Sequence, residues 1–297
     1  MPAPKSLAAP FLVACLGIAL FSLMDAVVKE LVLAIGTYNA MLWRQMAATT
    51  MGGGVYVLSR DRWPDRPALM LAAQRGVLGA AMAFTFFFGI GRVPLAEGIA
   101  LSFIAPLIAL YLAAVLLGEK VGPQAIMASV LGLAGVGVIL AARIGTETHD
   151  PGAWLGVASI IFSALLYAYN LILQRRQALV SSPSQIAFLQ NGFAFLATVP
   201  FAFWFAVVPG RELVPLILGA AAITVTSLFL LAWAYARAEA QVLIPVEYTA
   251  FAWAALFGWL FFSEPVTLST MAGAVLIVAG CIIAARQRPV HVEATAI

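Results

Sequence analysis

The sequence predicts an all-α membrane protein, with ten transmembrane helices in two inverted five-helix repeats around a central cavity. Three observations carry that expectation. The 297 residues are 63% hydrophobic and 10% charged, whereas a water-soluble domain averages roughly 45–50% apolar and about 25% charged. Ten stretches of mostly apolar residues fill the chain, each near the length of about 20 residues at which a helix crosses about 30 Å of hydrocarbon. Short motifs in the first half also return in the second at a near-constant offset.

The spans run over 9–31, 37–58, 68–90, 95–117, 123–143, 153–174, 184–208, 212–235, 240–262 and 266–285. The first contains Asp25 and Lys29, so it reads as a retained helix rather than a cleaved signal peptide. Gly and Pro punctuate the connections, at Gly122-Pro123, Asp150-Pro151-Gly152, Ser182-Pro183, Pro209-Gly210 and Glu264-Pro265. No connection is long enough for a soluble domain. One integral domain is expected over 1–297, with repeats at 9–143 and 153–285 and a tail at 286–297.

The repeat is visible in particular residues. Phe21-Ser22 with Lys29 corresponds to Phe162-Ser163 with Asn170, and Ala96-Glu97-Gly98 to Ala238-Glu239-Ala240. Glu119 and Glu264 close corresponding spans, each followed sixteen residues later by a glycine, Gly135 and Gly280. An odd number of spans per half makes the halves enter the bilayer with opposite orientation, and inverted repeats place a binding site near the midplane.

Positive charge sets the orientation. With the N-terminus inside, eleven Lys and Arg fall on the inner side: Lys5, Arg60, Arg62, Arg66, Arg75, Lys120, Arg175, Arg176, Arg237, Arg286 and Arg288. Four fall outside, namely Lys29, Arg92, Arg143 and Arg211, with Arg44 left inside a span. Both termini are therefore expected in the cytoplasm. The net charge of +3 comes from scattered Arg residues and gives no nucleic-acid footprint.

A charge held inside an apolar span is costly and usually marks a polar path. Asp25 and Arg44 lie at matching depth in adjacent spans, about 10 Å below the outer face by helical rise. They read either as the wall of a polar cavity or as an ion pair locking two helices, and Lys29 shares the Asp25 face at i+4. Glu247 and Tyr248 follow Pro245, whose ring frees a backbone carbonyl, and Pro106 breaks the fourth span as Pro245 breaks the ninth. Paired broken helices in two halves point to the binding site. Glu97 and Glu239 fall in first turns, where they answer exposed helix N–H groups. Asn170 and Gln190, with Tyr167, Tyr169 and Asn191, are expected to face the bundle interior. Phe84, Trp233 and Trp253 are candidate cavity aromatics beside a larger set serving packing and the interfacial belt. Gly132, Gly135, Gly137, Gly273 and Gly280 read as close helix contacts, and Cys15 and Cys281 as small apolar side chains. His149 and His291 lie outside the spans, and no nucleophile or metalloprotease motif occurs, so no catalytic residue, metal or cofactor is expected.

These stretches resemble the drug/metabolite transporter superfamily in its EamA-type branch. The matching residues are Leu20 to Asp25 with Lys29 and Glu30, Trp43-Arg44, Arg75-Gly76, Pro94 to Gly98 running to Pro106, Leu117-Gly118-Glu119, Glu247-Tyr248-Thr249 to Trp253, and Glu264-Pro265. The resemblance implies a carrier of small metabolites in the bacterial inner membrane, working by alternating access. Amino-acid export is the leading expectation, with uptake of S-adenosylmethionine- or riboflavin-like metabolites as the alternative. Its implied partners are a small-molecule solute and membrane lipid, with a second copy of the chain as a further candidate. Two other classes stand beside it: an intramembrane enzyme, for which no catalytic set is found, and a non-transporting assembly protein.

Overall fold

The computed structural model describes residues 8–105, 108, 112, 123–146, 151–178, 180–235 and 249–285. All regular elements among them are helical: α1 Ala8–Ser59, α2 Arg66–Ile90, α3 Leu95–Ser102, α4 Pro123–Thr146, α5 Pro151–Ala178, α6 Pro183–Thr198, α7 Val214–Tyr235, α8 Thr249–Phe262 and α9 Leu268–Ala285. Short 3-10 turns and a single helical turn at Ala202–Phe205 connect α6 to α7. Five of these stretches are long and apolar enough to cross a bilayer: Ala9–Ser59, Arg66–Ile90, Gly152–Asn170, Pro183–Phe205 and Arg211–Leu231. Val130–Ala142, Thr249–Phe262 and Leu268–Gly280 are apolar but shorter.

α1 holds the first two expected spans. Gly36 sits at φ 76°, ψ 159° inside it, a backbone conformation closed to most L-residues, and interrupts the helix there. Its two limbs fold back on each other. Asp25 and Arg44 feel each other's charge, although a straight helix would hold residues nineteen apart at about 28 Å.

The remaining neighbours can be read from side-chain contacts. α2 runs antiparallel along α5: Ser159 Oγ donates to Thr85 O at 2.7 Å and Ser163 Oγ to Met82 O at 2.8 Å. The backbones meet closely where Gly89 faces Gly156; a Cβ on Gly89 would sit 2.8 Å from Gly156 O. α4 and α9 cross the same way through Gly135 and Gly273, where a Cβ on Gly135 would lie 2.6 Å from Ile277 Cγ1. The first limb of α1 packs on α7, with Ser227 Oγ donating to Gly17 O at 2.6 Å, and the second limb packs on α6.

Two ends of the bundle follow. Gly36, Arg92 to Leu95, Val207 and Glu264 gather at one, since Trp43 Nε1 donates to Val207 O at 2.9 Å and Leu95 N to Glu264 Oε2 at 2.8 Å. Asp61, Arg62 and Ser182 to Gln185 gather at the other. There Ser182 caps α6 with a reciprocal Gln185 bond, and Asp65 caps α2, contacts worth about 1 kcal/mol each.

Large apolar side chains cover the outside as well as filling the core, and several polar and charged side chains are buried among them. Leu58, Met70, Val77, Phe203, Trp204, Leu268 and Val275 are exposed, while Lys29, Arg44, Gln45, Arg75, Asn170 and Gln177 are buried. An outer apolar surface with polar groups held inside suits lipid as solvent.

Candidate functional site

Asp25 lies on the α1 face that also carries Ser22, Val28 and Lys29, all buried, so it points into the bundle. Arg44, on the second limb, is 6% exposed. Its Nη2 lies 3.8 Å from Met41 Sδ and its guanidinium 5.8 Å from the centroid of the Phe87 ring. Nε has no partner. Among the described residues Asp25 and Arg44 form no ion pair within 4.0 Å, and the ion pair that does form is Lys29–Glu264. Asp25 and Arg44 thus lack the direct ion pair that the helix-lock reading expects, while each lies near enough to act on the other's charge.

Lys29 is also not the second partner of Asp25. Its Nζ donates to Glu264 Oε1 and, at 2.9 Å, to Val93 O, with the Phe262 ring 5.0 Å away. Glu264 reaches on to Leu95 N, the opening residue of α3, where a carboxylate meets a free N–H and the positive helix end. One carboxylate thus ties α1, α3 and the end of α8 together. Glu97, in the first turn of α3, is buried as well.

Arg75 was counted with the loops, yet it is 3% exposed and lies between α2 and α5. Nε donates to Asn170 Oδ1 at 3.2 Å, and Nη1 donates to Gln177 Oε1. With Lys29 and Arg75 removed from the loop count, ten inner cations still face three outer ones. Sequence reasoning had a signal for Arg75: it stands seven residues into its expected span, as Arg44 does in its own. Glu264 was missed as a partner because it reads as helix punctuation beside Pro265.

Other expected residues sort as follows. Phe84 is 38% exposed and lines an open cleft of about 510 Å³ at the Gly36 bend, with Tyr38, Phe88 and Arg92. The Arg92 guanidinium stacks 3.5 Å over the Phe88 ring there. Gln190 is half-buried against α2, its Nε2 3.6 Å from where a Cβ on Gly79 would sit. Trp253 stacks on Phe257 with centroids 6.2 Å apart, and Trp233 is 38% exposed. Tyr169, expected inside, is 36% exposed and accepts from Gln74. Pro106, Glu119, Glu239, Pro245, Glu247 and Tyr248 lie outside the described residues.

At the opposite end Asp61 accepts hydroxyls from Ser182, at 2.6 Å, and from Ser184 and Ser59. These bonds, Ser182 first and Ser184 next, hold its carboxyl below the ordinary value of 3.8.

The EamA-like transporter family matches this chain twice, over residues 9–141 and 154–286. The chain belongs to that family. It is a multi-pass membrane protein, and its general role is secondary transport of small metabolites rather than catalysis. A pseudopaline exporter, CntI, of Pseudomonas aeruginosa is 27% identical over 281 residues, covering 93% of this chain and 96% of the relative. A riboflavin transporter of Rhizobium johnstonii is 28% identical over 291 residues, covering 91% and 88%. One solved crystal structure, 20% identical, superposes with a TM-score of 0.56 over 93% of this chain and 96% of its own, which fixes the fold as a shared one.

Proposed function

We propose that this EamA-like transporter exports small amphoteric metabolites, amino acids foremost, across the bacterial inner membrane by alternating access. One observation carries the reading: Arg44 is buried with Nε unpartnered, and Asp25 faces it from the other limb without pairing to it. A fixed guanidinium suits a carboxylate, and a fixed carboxylate suits an ammonium group. A solute carrying both would neutralise two interior charges at once, which lowers the cost of holding them there. The exporter named among the relatives supports the direction.

The reading includes two inverted five-helix repeats, supported by the two nearly equal family matches. It also includes cytoplasmic termini, supported by the remaining excess of Lys and Arg at the Asp61 end. Within it, Asp25 and Arg44 hold the solute's charged groups. Phe84, Asn170, Gln190, Trp233 and Trp253 line the route, and Pro106, Glu247 and Tyr248 contribute from the paired broken helices.

A second reading is uptake of a riboflavin- or S-adenosylmethionine-like metabolite. The aromatic cleft of about 510 Å³ at the Gly36 end favours it, together with the riboflavin transporter among the relatives. Proteoliposomes containing the full chain, given labelled amino acids, S-adenosylmethionine and riboflavin with and without a pH gradient, separate the two. Amino-acid flux that falls in Arg44→Gln and Asp25→Asn supports export. Riboflavin or S-adenosylmethionine flux alone selects the second reading, and movement of none of them overturns both.

A further inference from the structure

Arg75 carries a full charge; its hydrogen-bond partners Asn170 and Gln177 are neutral amides, and its further polar neighbour Tyr167 is a phenol. Among the described residues no carboxylate pairs with it. Among the described residues, Asp61 and Asp65 at this end are committed elsewhere, Asp61 to its serines and Asp65 to the Ala68 N–H that opens α2.

Two buried polar groups without partners lie on the turn that carries Gln177. Gln177 has no exposed surface, and its Nε2 lacks a partner. Ser181 Oγ is likewise buried and unpartnered, and Ser181 N donates to Gln177 O at 3.0 Å, which keeps the two residues together. A buried donor without an acceptor is destabilising, and an uncompensated buried cation is more so. The C-terminal carbonyls of α5 attract a cation but offset only a minor part of that cost. A water molecule could satisfy the two donors and would leave the charge unanswered. An anion answers all three.

We propose that Arg75, Gln177 and Ser181 form a carboxylate-binding station at the Asp61 end of the bundle, separate from Arg44. Arg75 lies nine residues from the start of α2, about 13 Å along the helix from that end. Arg44 lies eight residues from the Gly36 bend, about 12 Å from the opposite end. The two guanidiniums therefore stand on opposite sides of the midplane, and the planar fork of each matches a carboxylate. That the carboxylate is the transported solute's own rests on the export reading above; the station itself does not.

The test uses the purified full-length chain in detergent, with thermal unfolding followed in sodium acetate against sodium chloride at equal ionic strength. A ligand that binds only the folded state raises the midpoint in proportion to its occupancy. Acetate is expected to raise it more than chloride in the parent chain and also in Arg44→Gln, where the other carboxylate site is gone and the remaining effect reports the station alone. Added to Arg44→Gln, Gln177→Met and Ser181→Ala, which keep the Arg75 charge, are expected to weaken acetate by about tenfold, and Arg75→Gln to abolish its remaining effect. Equal shifts with chloride and acetate, loss of the whole shift in Arg44→Gln, or a shift in Arg44→Gln/Arg75→Gln as large as in Arg44→Gln overturn the station. Should Arg75→Gln fail to fold, undiminished acetate binding in both Gln177→Met and Ser181→Ala overturns it instead. Flux distinguishes the two readings: an acetate effect lost in Arg75→Gln without any solute transport sinks the carrier reading and keeps the station. Solute transport without an acetate effect does the reverse.

Discussion

Lys29 and Asn170 occupy corresponding places in the two halves of the sequence, and the structure treats them in opposite ways. At the Gly36 end Lys29 is a buried cation answered by a carboxylate, Glu264, which also meets the first N–H of α3. At the Asp61 end the corresponding residue is neutral, and the cation comes from a neighbouring helix as Arg75, hydrogen-bonded to two amides. One end pairs its buried cation with a carboxylate; at the other, no carboxylate among the described residues pairs with it. The difference teaches that a shared fold template fixes where polar groups enter the bundle, while single residue changes decide whether they lock it or leave it receptive.

The largest expected effect comes from breaking the neutralised end. Glu264→Gln leaves Lys29 buried without its counter-charge, and removing one partner of such a pair costs about 3–5 kcal/mol. Thermal unfolding in detergent checks this, and the Lys29→Met/Glu264→Leu double variant is expected to recover part of the loss, because both members of the broken pair are then gone. If Glu264→Gln unfolds at the parent temperature, the contrast between the two ends is mistaken.

Next comes the interior pair that does not touch. Arg44→Gln and Asp25→Asn are each expected to lower solute flux by about tenfold or more, the scale of one lost charge-assisted hydrogen bond, with little change in unfolding temperature. A large stability loss with unaltered flux would return the two residues to a structural role.

Helix packing gives a smaller effect. Gly135→Ala places a methyl 2.5 Å from Gly273 O and 2.6 Å from Ile277 Cγ1, and overpacking of this kind costs about 1–3 kcal/mol. Gly137→Ala, with open space around it, is the paired control and is expected to leave the unfolding midpoint unchanged.

The smallest effect concerns pH at the Asp61 loop. Its carboxyl is held below 3.8 in the folded chain by serine hydroxyls, so the contact is fully present above that value. It fails only as pH falls through the lower folded value. Hydrogen exchange at the amides of Gln185 and Ile186, both bonded to Ser182, should therefore show the same protection, after correction for intrinsic rates, between pH 7 and 5. Loss of protection within that window would show that the serines do not hold the carboxylate.

The membrane class, the all-helical make-up and the interior placement of Arg44 and Asn170 were legible in the sequence. A twenty-residue apolar run and an embedded charge are local signals, and the bilayer makes each of them expensive to misplace. The break between the spans 9–31 and 37–58 was legible too, and the structure places it at Gly36, the residue that tolerates the required backbone angles. Partner choice was not. Lys29 finds Glu264 at a separation of 235 residues, and Arg75 finds Asn170 at 95. Hydropathy reports how deep a residue lies along its own helix, whereas an ion pair depends on which helix faces it, and that is settled only when the helices pack.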